Sequence, residues 1–206
     1  MTTEHFDKAA ADYDKKSRRI VLADKISNAI NTLPLSKQMS GMEFGCGTGL
    51  VGMGVAPSLC ELIAIDTSQG MLDVLQQKVL DQGITNIQTL CCDFSADTYT
   101  QKHDIIICSM TLHHLKDANG LLFQFTKLLN PGGYLAIADI TTEDGSFHDP
   151  SAKGIWHHGF DPEELTTLLE SFAMEDIRST IIHTIVKEAQ KNKEFPVFLL
   201  TGRKSS

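Results

Sequence analysis

The chain has 206 residues, 42% of them hydrophobic and 21% charged, with a formal net charge of −8. That is material for the core of one ordinary globular domain, no apolar run is long enough to span a bilayer, and the acidic balance disfavours a phosphate-backbone partner and favours a small-molecule one. Five cysteines (Cys46, Cys60, Cys91, Cys92 and Cys108) form no C-x-x-C and cannot all pair, which argues against structural zinc or a disulfide framework.

The start, Met1-Thr2-Thr3-Glu4-His5, has no basic segment leading into an apolar one, so a cytoplasmic protein without a signal peptide is expected. Residues 1–37 read as mostly helical and form a cap. Met39 to Phe44 is a first strand, ending in a glycine cluster that opens a helix near Leu50. Leu62 to Ile65 is a second strand ending at Asp66; Ser68 then caps a helix with apolar positions Met71, Leu72, Leu75, Val79 and Leu80, which Gly83 stops. Ile87 to Cys92 is a third strand, ending at Asp93. The wholly apolar Ile105 to Cys108 is a fourth and central one. Asp117 opens a helix to about Leu129, Asn130-Pro131-Gly132-Gly133 turns, and Tyr134 to Ile140 is a fifth strand.

The alternation of strand and helix is that of a parallel sheet with crossover helices. It ends at Thr141, where a Gly-, Ser-, His- and Asp-rich loop runs to Gly159. Asp161-Pro162-Glu163-Glu164 is a helix start with Asp as cap, Pro in the first position and Glu164 closing a capping box. Met174 to Val186 and Phe195 to Gly202 are two strand-like stretches joined by the charged segment Lys187 to Glu194, with no crossover helix between them, so an antiparallel hairpin is expected. The fold class is therefore α/β: a Rossmann-like, doubly wound, seven-stranded and mostly parallel sheet with an antiparallel last strand and an N-terminal helical cap. One domain covers 1–206, divided into the cap (1–37), a core (38–140) and a loop, helix and hairpin (141–206).

The most informative segment is Glu43-Phe44-Gly45-Cys46-Gly47-Thr48-Gly49, where glycines alternate between a strand and a helix. Such a loop lets backbone amides approach a ligand closely. A dinucleotide fingerprint, G-x-G-x-x-G, counted from Gly45 fails at Leu50; counted from Gly47 it fits through Gly52 but begins two residues late.

Glu-x-Gly-x-Gly-x-Gly in this place resembles the first motif of the class I S-adenosylmethionine-dependent methyltransferases. The resemblance covers nearly the whole chain. It implies that Asp66 accepts hydrogen bonds from ribose hydroxyls, as a carboxylate suits a diol, and that Asp93 meets the adenine amino group with Phe94 beside it. Leu128 to Gly133 is similar to the family's turn into the fifth strand. Phe6-Asp7…Tyr13-Asp14 and Ser109-Met110-Thr111-Leu112-His113-His114-Leu115 resemble the small-molecule branch, which includes the ubiquinone/menaquinone methyltransferases and methyltransferase type 11 proteins. Cys108-Ser109-Met110-Thr111 stands where base-amino and glutamine-amide methyltransferases carry Asn/Asp-Pro-Pro-Tyr/Phe, so a DNA amino group is not favoured.

The implied cofactor is S-adenosyl-L-methionine, leaving as S-adenosyl-L-homocysteine. Its expected binding residues are Tyr13, Arg19, Glu43, Gly45, Cys46, Gly47, Gly49, Asp66, Thr67, Met71, Cys92, Asp93, Phe94 and Ser109, with Arg19 available to the cofactor's carboxylate. Met71 could pack on adenine or simply be core. On the acceptor side, His113, His114, Asp139 and His157 are the catalytic candidates, since histidine titrates near neutral pH and Asp139 follows the apolar run of the fifth strand. His148 and His157-His158 form a second histidine group, and Trp156 is either a pocket wall or the anchor of the long loop. No metal is expected. The reaction read from these residues is in-line transfer of a methyl group to a small molecule. The alternatives are a non-catalytic S-adenosylmethionine-binding sensor or partner subunit, an NAD-dependent oxidoreductase, and metalloid methylation through cysteine thiolates. The sequence names neither the acceptor nor the oligomeric state.

Overall fold

A computed structural model describes residues 3–187, 190 and 192–205. Two helices, α1 (Thr3–Tyr13) and α2 (Ser17–Ile30), precede the first strand. The sheet strands are β1 (Ser40–Phe44), β2 (Glu61–Asp66), β3 (Ile87–Cys91), β4 (His103–Ser109), β5 (Leu129–Ile140), β6 (Met174–Lys187) and β7 (Lys193–Lys204). The remaining helices are the short α3 (Gly52–Val55), α4 (Gln69–Asp81), α5 (Ala118–Leu128) and α6 (Pro162–Ser171). Residues 188, 189 and 191 of the expected joining segment, and Met1 and Thr2 of the start, lie outside the described residues.

The strand order is β3-β2-β1-β4-β5-β7-β6. β1 to β5 pair in parallel; β7 runs antiparallel between β5 and β6. The seven-stranded mixed sheet with its antiparallel closing hairpin agrees with the fold read from the sequence. Alternation along β4 divides the core: Ile105 and Ile107 pack with Leu22, Ile26, Leu72 and Leu75 of α2 and α4, while Ile106 and Cys108 pack with Leu122 and Phe125 of α5 and Leu165 and Leu169 of α6. Both faces are covered, which is why β4 carries no polar residue between Ile105 and Cys108.

Local chemistry sets the element ends. Ser68 accepts from the Met71 amide at the start of α4, and Asp117 from the Gly120 amide at the start of α5. Asp161 accepts from the Glu163 amide at α6, but the return bond from the Asp161 backbone N–H to the Glu164 carboxylate that would complete a capping box is absent among the described residues. The stretch Asn130–Gly133 is not a turn ahead of β5 but an irregularity within it: Leu129 pairs with His103 and Tyr134 with Ile105, so the residues between loop out. Gly132 takes φ +76° there, and the Asp104 carboxylate holds the Asn130 amide at 2.8 Å and the Ser40 backbone N–H at 2.8 Å.

The N-terminal helices dock on the carboxyl ends of the strands through two aspartates. Asp7 accepts from the Ser68 hydroxyl at 2.6 Å and the Gly70 amide at 2.9 Å, placing a negative charge at the N-terminus of α4. Asp14 accepts from the Thr48 hydroxyl at 2.6 Å and pairs with Lys78 at 2.8 Å. One helix is thus fastened to both the glycine loop and α4.

Two glycines of the loop differ in what surrounds them. Gly49 has φ +77° and its missing Cβ would collide with Leu75; Gly47 has φ +52° and nothing lies within 4 Å of a Cβ there. Gly47→Ala should therefore lose only the left-handed backbone term, about 1–2 kcal/mol, while Gly49→Ala adds overpacking for roughly 2–5 kcal/mol in total. Urea unfolding of the two variants checks this, and equal losses would contradict the packing described.

Candidate active site

The carboxyl ends of β1, β2 and β4 open onto one cavity of about 710 Å³. At its first end the glycine loop leaves β1 with three left-handed glycines, Gly45 (φ +69°), Gly47 and Gly49. The amides of Gly45 and Cys46 both donate to the Ile65 carbonyl, at 2.8 and 3.0 Å. Asp66, at the end of β2, accepts from the Gly47 amide at 2.8 Å and the Ser68 amide at 2.9 Å. Burial raises the Asp66 carboxyl, opposed by these amides. The loop is therefore tied to β2 twice before any ligand arrives.

Glu43 lies beneath the loop and is 1% exposed. Its carboxyl packs against Gly52, where a Cβ would collide with it, and Oε2 has no hydrogen-bond partner. Gly52 is thus explained by the room it leaves for Glu43 rather than by a dinucleotide fingerprint. Burial pushes the Glu43 carboxyl up to about 8, so it is neutral at pH 7.

On the flank of the cavity Asp93 is exposed and accepts from the backbone N–H and the hydroxyl of Ser95, which lower its pKa. Phe94 packs edge-on to Phe44 and stacks on Tyr99. Met71 is buried. From the cap, Arg19 sits 3.6 Å above the Tyr13 ring and donates to the Tyr13 carbonyl at 2.9 Å. The guanidinium has no carboxylate partner among the described residues, so its remaining donors are open to an anionic ligand.

At the other end, β4 stops at Ser109. Met110 takes a left-handed φ of +51° and a 3-10 turn (Leu112–His114) follows. Asp139, fully buried at the end of β5, accepts from His113 Nδ1 at 2.7 Å, the His113 amide at 3.2 Å and the Ile140 amide at 2.8 Å. The His113 carbonyl in turn receives the amides of Trp156 and His157, and His157 Nε2 donates to the Leu115 carbonyl at 2.9 Å. These bonds dock the long loop. Trp156 combines both expected roles: its backbone anchors the loop and its indole, 54% exposed, stands at the cavity rim. His114 Nδ1 donates to the Gly154 carbonyl at 3.0 Å, and Phe6 of α1 meets its ring edge-on. Burial and the His113 ring hold His114 at about 4; burial, the His113 and His114 rings and Lys187 hold His148 at about 3. Both are neutral imidazoles at pH 7.

The cavity wall contains Tyr13, Arg19, Glu43, Gly45, Cys46, Gly47, Asp66, Thr67, Met71, Cys92, Asp93, Phe94, Ser109 and His114. Gly49 stands behind the wall against Leu75, while His113, Asp139 and His157 lie outside it and shape it through His114 and the loop. Sequence reasoning missed Phe6, Thr111 and the α2 face Leu22, Ala23 and Ile26, which also line it. The i, i+1, i+4 spacing on α2 carried that signal, but nothing local said which element the face would meet. Burial raises the Cys46 and Cys108 thiols well above their usual range, and Cys92 is raised as well, so no thiolate is poised here.

A family model described as a methyltransferase domain matches residues 42–135. An uncharacterized methyltransferase of Schizosaccharomyces pombe is 29% identical over 195 residues, covering 87% of this chain and 66% of that protein. A ubiquinone biosynthesis O-methyltransferase of Proteus mirabilis is 29% identical over 48% of this chain and 41% of its own length. The chain thus spans less than two thirds of the length of these curated relatives. Among solved structures, that of DhpI in complex with S-adenosylhomocysteine superposes with a TM-score of 0.75 at 17% identity, covering 98% of this chain and 95% of the other. Residues 42–135 are thus similar to a methyltransferase domain, and the chain as a whole shares the fold of the DhpI structure.

The Glu43 environment has a consequence for stability. Between about pH 4.5 and 8 the unfolded carboxyl is ionised while the folded one keeps its proton, so the folded state binds more protons and its stability falls as pH rises through that window. Glu43→Gln is neutral throughout and escapes this decline. Its urea midpoint should gain on that of the wild-type protein from pH 5 to pH 8; a constant difference would show that Glu43 is ionised in the folded chain.

Proposed function

We propose that this chain transfers the methyl group of S-adenosylmethionine to a small-molecule acceptor held between His114 and Trp156. The observation that carries this reading is one continuous cavity whose wall includes both Asp66 and Asp93 and, from the segment after β4 and the long loop, His114, Lys116 and Trp156. Its volume lies within the roughly 300–1,000 Å³ of small-molecule sites. Both N-terminal helices contribute to its wall, through Phe6 and Tyr13 of α1 and Leu22, Ala23 and Ile26 of α2, which suits a small molecule better than a macromolecular surface.

The residues present fit the cofactor. Open space beside Gly47 lets loop amides approach a ligand, and the Asp66 carboxylate, although bonded to two amides, retains lone pairs for a ribose diol. Arg19 offers a guanidinium to an α-carboxylate. Asp93, with Phe94, offers an acceptor and an aromatic face to adenine; Tyr13, Cys46, Thr67, Met71, Cys92 and Ser109 complete the wall. Gly49 and Glu43 act indirectly, by shaping the loop. When bound, the cofactor supplies an activated methyl on a sulfonium sulfur.

The protein's task is then to align an acceptor and keep water away, an effect that can supply roughly 7–11 kcal/mol in favourable cases. His114, with Nδ1 engaged by Gly154, keeps the lone pair on Nε2 free at the acceptor end of the cavity. His113 and Asp139 are positioning residues for that ring, and His157 holds the loop that carries Trp156.

Calorimetric titration with S-adenosylhomocysteine, S-adenosylmethionine and NAD tests the cofactor half. Binding of the first two alone is expected, and binding of NAD alone would overturn it. Asp66→Ala should weaken S-adenosylhomocysteine binding at least tenfold, whereas Trp156→Ala should leave it within about twofold and alter which acceptors yield S-adenosylhomocysteine. Undiminished affinity in Asp66→Ala would remove that carboxylate from the site. Binding without turnover across a broad screen of phenols, enols and amines would favour the non-catalytic alternative.

A further inference from the structure

Three histidines from two distant segments converge beside the cavity, although the sequence had led to no expectation of a metal. One ring nitrogen from each of His113, His114 and His148 lies within 4.8 Å of the other two. Ring centroids are 4.2 Å apart for His113 and His114, 5.0 Å for His113 and His148, and 5.4 Å for His114 and His148. Adjacent histidines usually point apart. The 3-10 turn brings His113 and His114 together, and the long loop delivers His148 to both.

The outer contacts of the rings are those that metal-bound imidazoles use. A ligating histidine commonly donates its second ring N–H to a carboxylate or a backbone carbonyl, which fixes the tautomer and aims the free lone pair. His113 donates Nδ1–H to Asp139, and His114 donates Nδ1–H to the Gly154 carbonyl. Each therefore keeps Nε2 for a ligand. His148 Nε2 is buried and has no hydrogen-bond partner, an arrangement that is costly unless something binds there. Asp139 favours a cation beside His148, and Lys187 opposes one.

We propose that His113, His114 and His148 bind one divalent transition-metal ion of zinc-like ligand preference, with Asp139 orienting His113 and an open coordination position facing the cavity beside His114. Three imidazoles suit zinc, cobalt or ferrous iron rather than magnesium or calcium, which prefer oxygen. Three protein ligands with a fourth position open is the pattern of a reactive site rather than a structural one. Metal–nitrogen bonds of about 2.0–2.1 Å place ligand atoms roughly 3 Å apart, so the rings need to close by an ångström or so, within reach of side-chain rotation. The open position would take water or an anionic oxygen such as a deprotonated hydroxyl. Only that last identification, of the open position with a methyl acceptor, rests on the function proposed above; the ion site stands on the histidines alone.

Cobalt titration of the chelator-stripped full chain tests this without reference to activity. Wild-type protein should bind one Co²⁺ per chain with visible ligand-field absorption, and Zn²⁺ should displace it. His148→Ala and the bulkier His148→Gln should weaken Co²⁺ at least tenfold while keeping the wild-type circular dichroism, and His183→Ala on β6 should bind as wild type. The cluster is not a metal site if the wild-type chain binds no stoichiometric Co²⁺ in equilibrium dialysis. The same conclusion follows if a folded His148 variant binds as tightly as wild type. Methyl transfer by a wild-type chain that binds no Co²⁺ would leave the function above intact and remove the ion.

Discussion

The Asp66 carboxylate is the interaction on which the cavity depends. It accepts from Gly47 in the loop after β1 and from Ser68 at the start of α4, so one side chain joins the end of β2 to both segments. A glycine loop has little intrinsic preference for one shape, because each glycine loses more conformational freedom on ordering than any other residue. Here the shape is imposed from outside the loop, by Asp66 and by the Ile65 carbonyl, which receives the Gly45 and Cys46 amides. The same carboxylate is the group proposed to meet the cofactor. On that proposal cofactor binding and loop order are coupled through a single side chain, and Asp7 and Asp14 tie the same region to α1 by way of Ser68 and Thr48.

A second buried carboxylate organises the opposite end by the same principle. Asp139 accepts three hydrogen bonds, two of them from His113, and the His113 carbonyl receives the amides of Trp156 and His157. A loop of nearly twenty residues without regular structure would ordinarily be a poor support for a site. This one is pinned where it passes the 3-10 turn, and through it β5 controls a histidine that β4 delivers. The two ends meet at His114, whose ring is touched by Phe6 from the cap and held by Gly154 from the loop.

Burial governs the charge inside the cavity. The chain as a whole is acidic, with a net charge of −8, yet the carboxyl beneath the glycine loop is held neutral and the two titratable imidazoles at the far end are held unprotonated. Neutral imidazoles accept a hydrogen bond or a metal, whereas an imidazolium can do neither.

The sequence by itself determined the architecture and the first half of the site. Short apolar runs closed by Asp66, Asp93 and Ser109, with helix caps at Ser68 and Asp117, are local signals, and local signals are legible without contacts. The glycine spacing identified the loop for the same reason. The tertiary structure decided everything that required two distant segments to meet. Asn130 to Gly133 reads as a turn but is absorbed into β5, because pairing of Leu129 with His103 starts the ladder earlier. Residues 1–37 read as helix, yet only the structure shows that Asp7 and Asp14 are what fasten α1 down. His157 and His148 look equivalent in the sequence, two histidines in one polar loop. Packing sends one to the Leu115 carbonyl and leaves the other with a bare buried nitrogen beside His113 and His114, because side-chain direction in an irregular loop is set by what the loop rests against and not by its own residues.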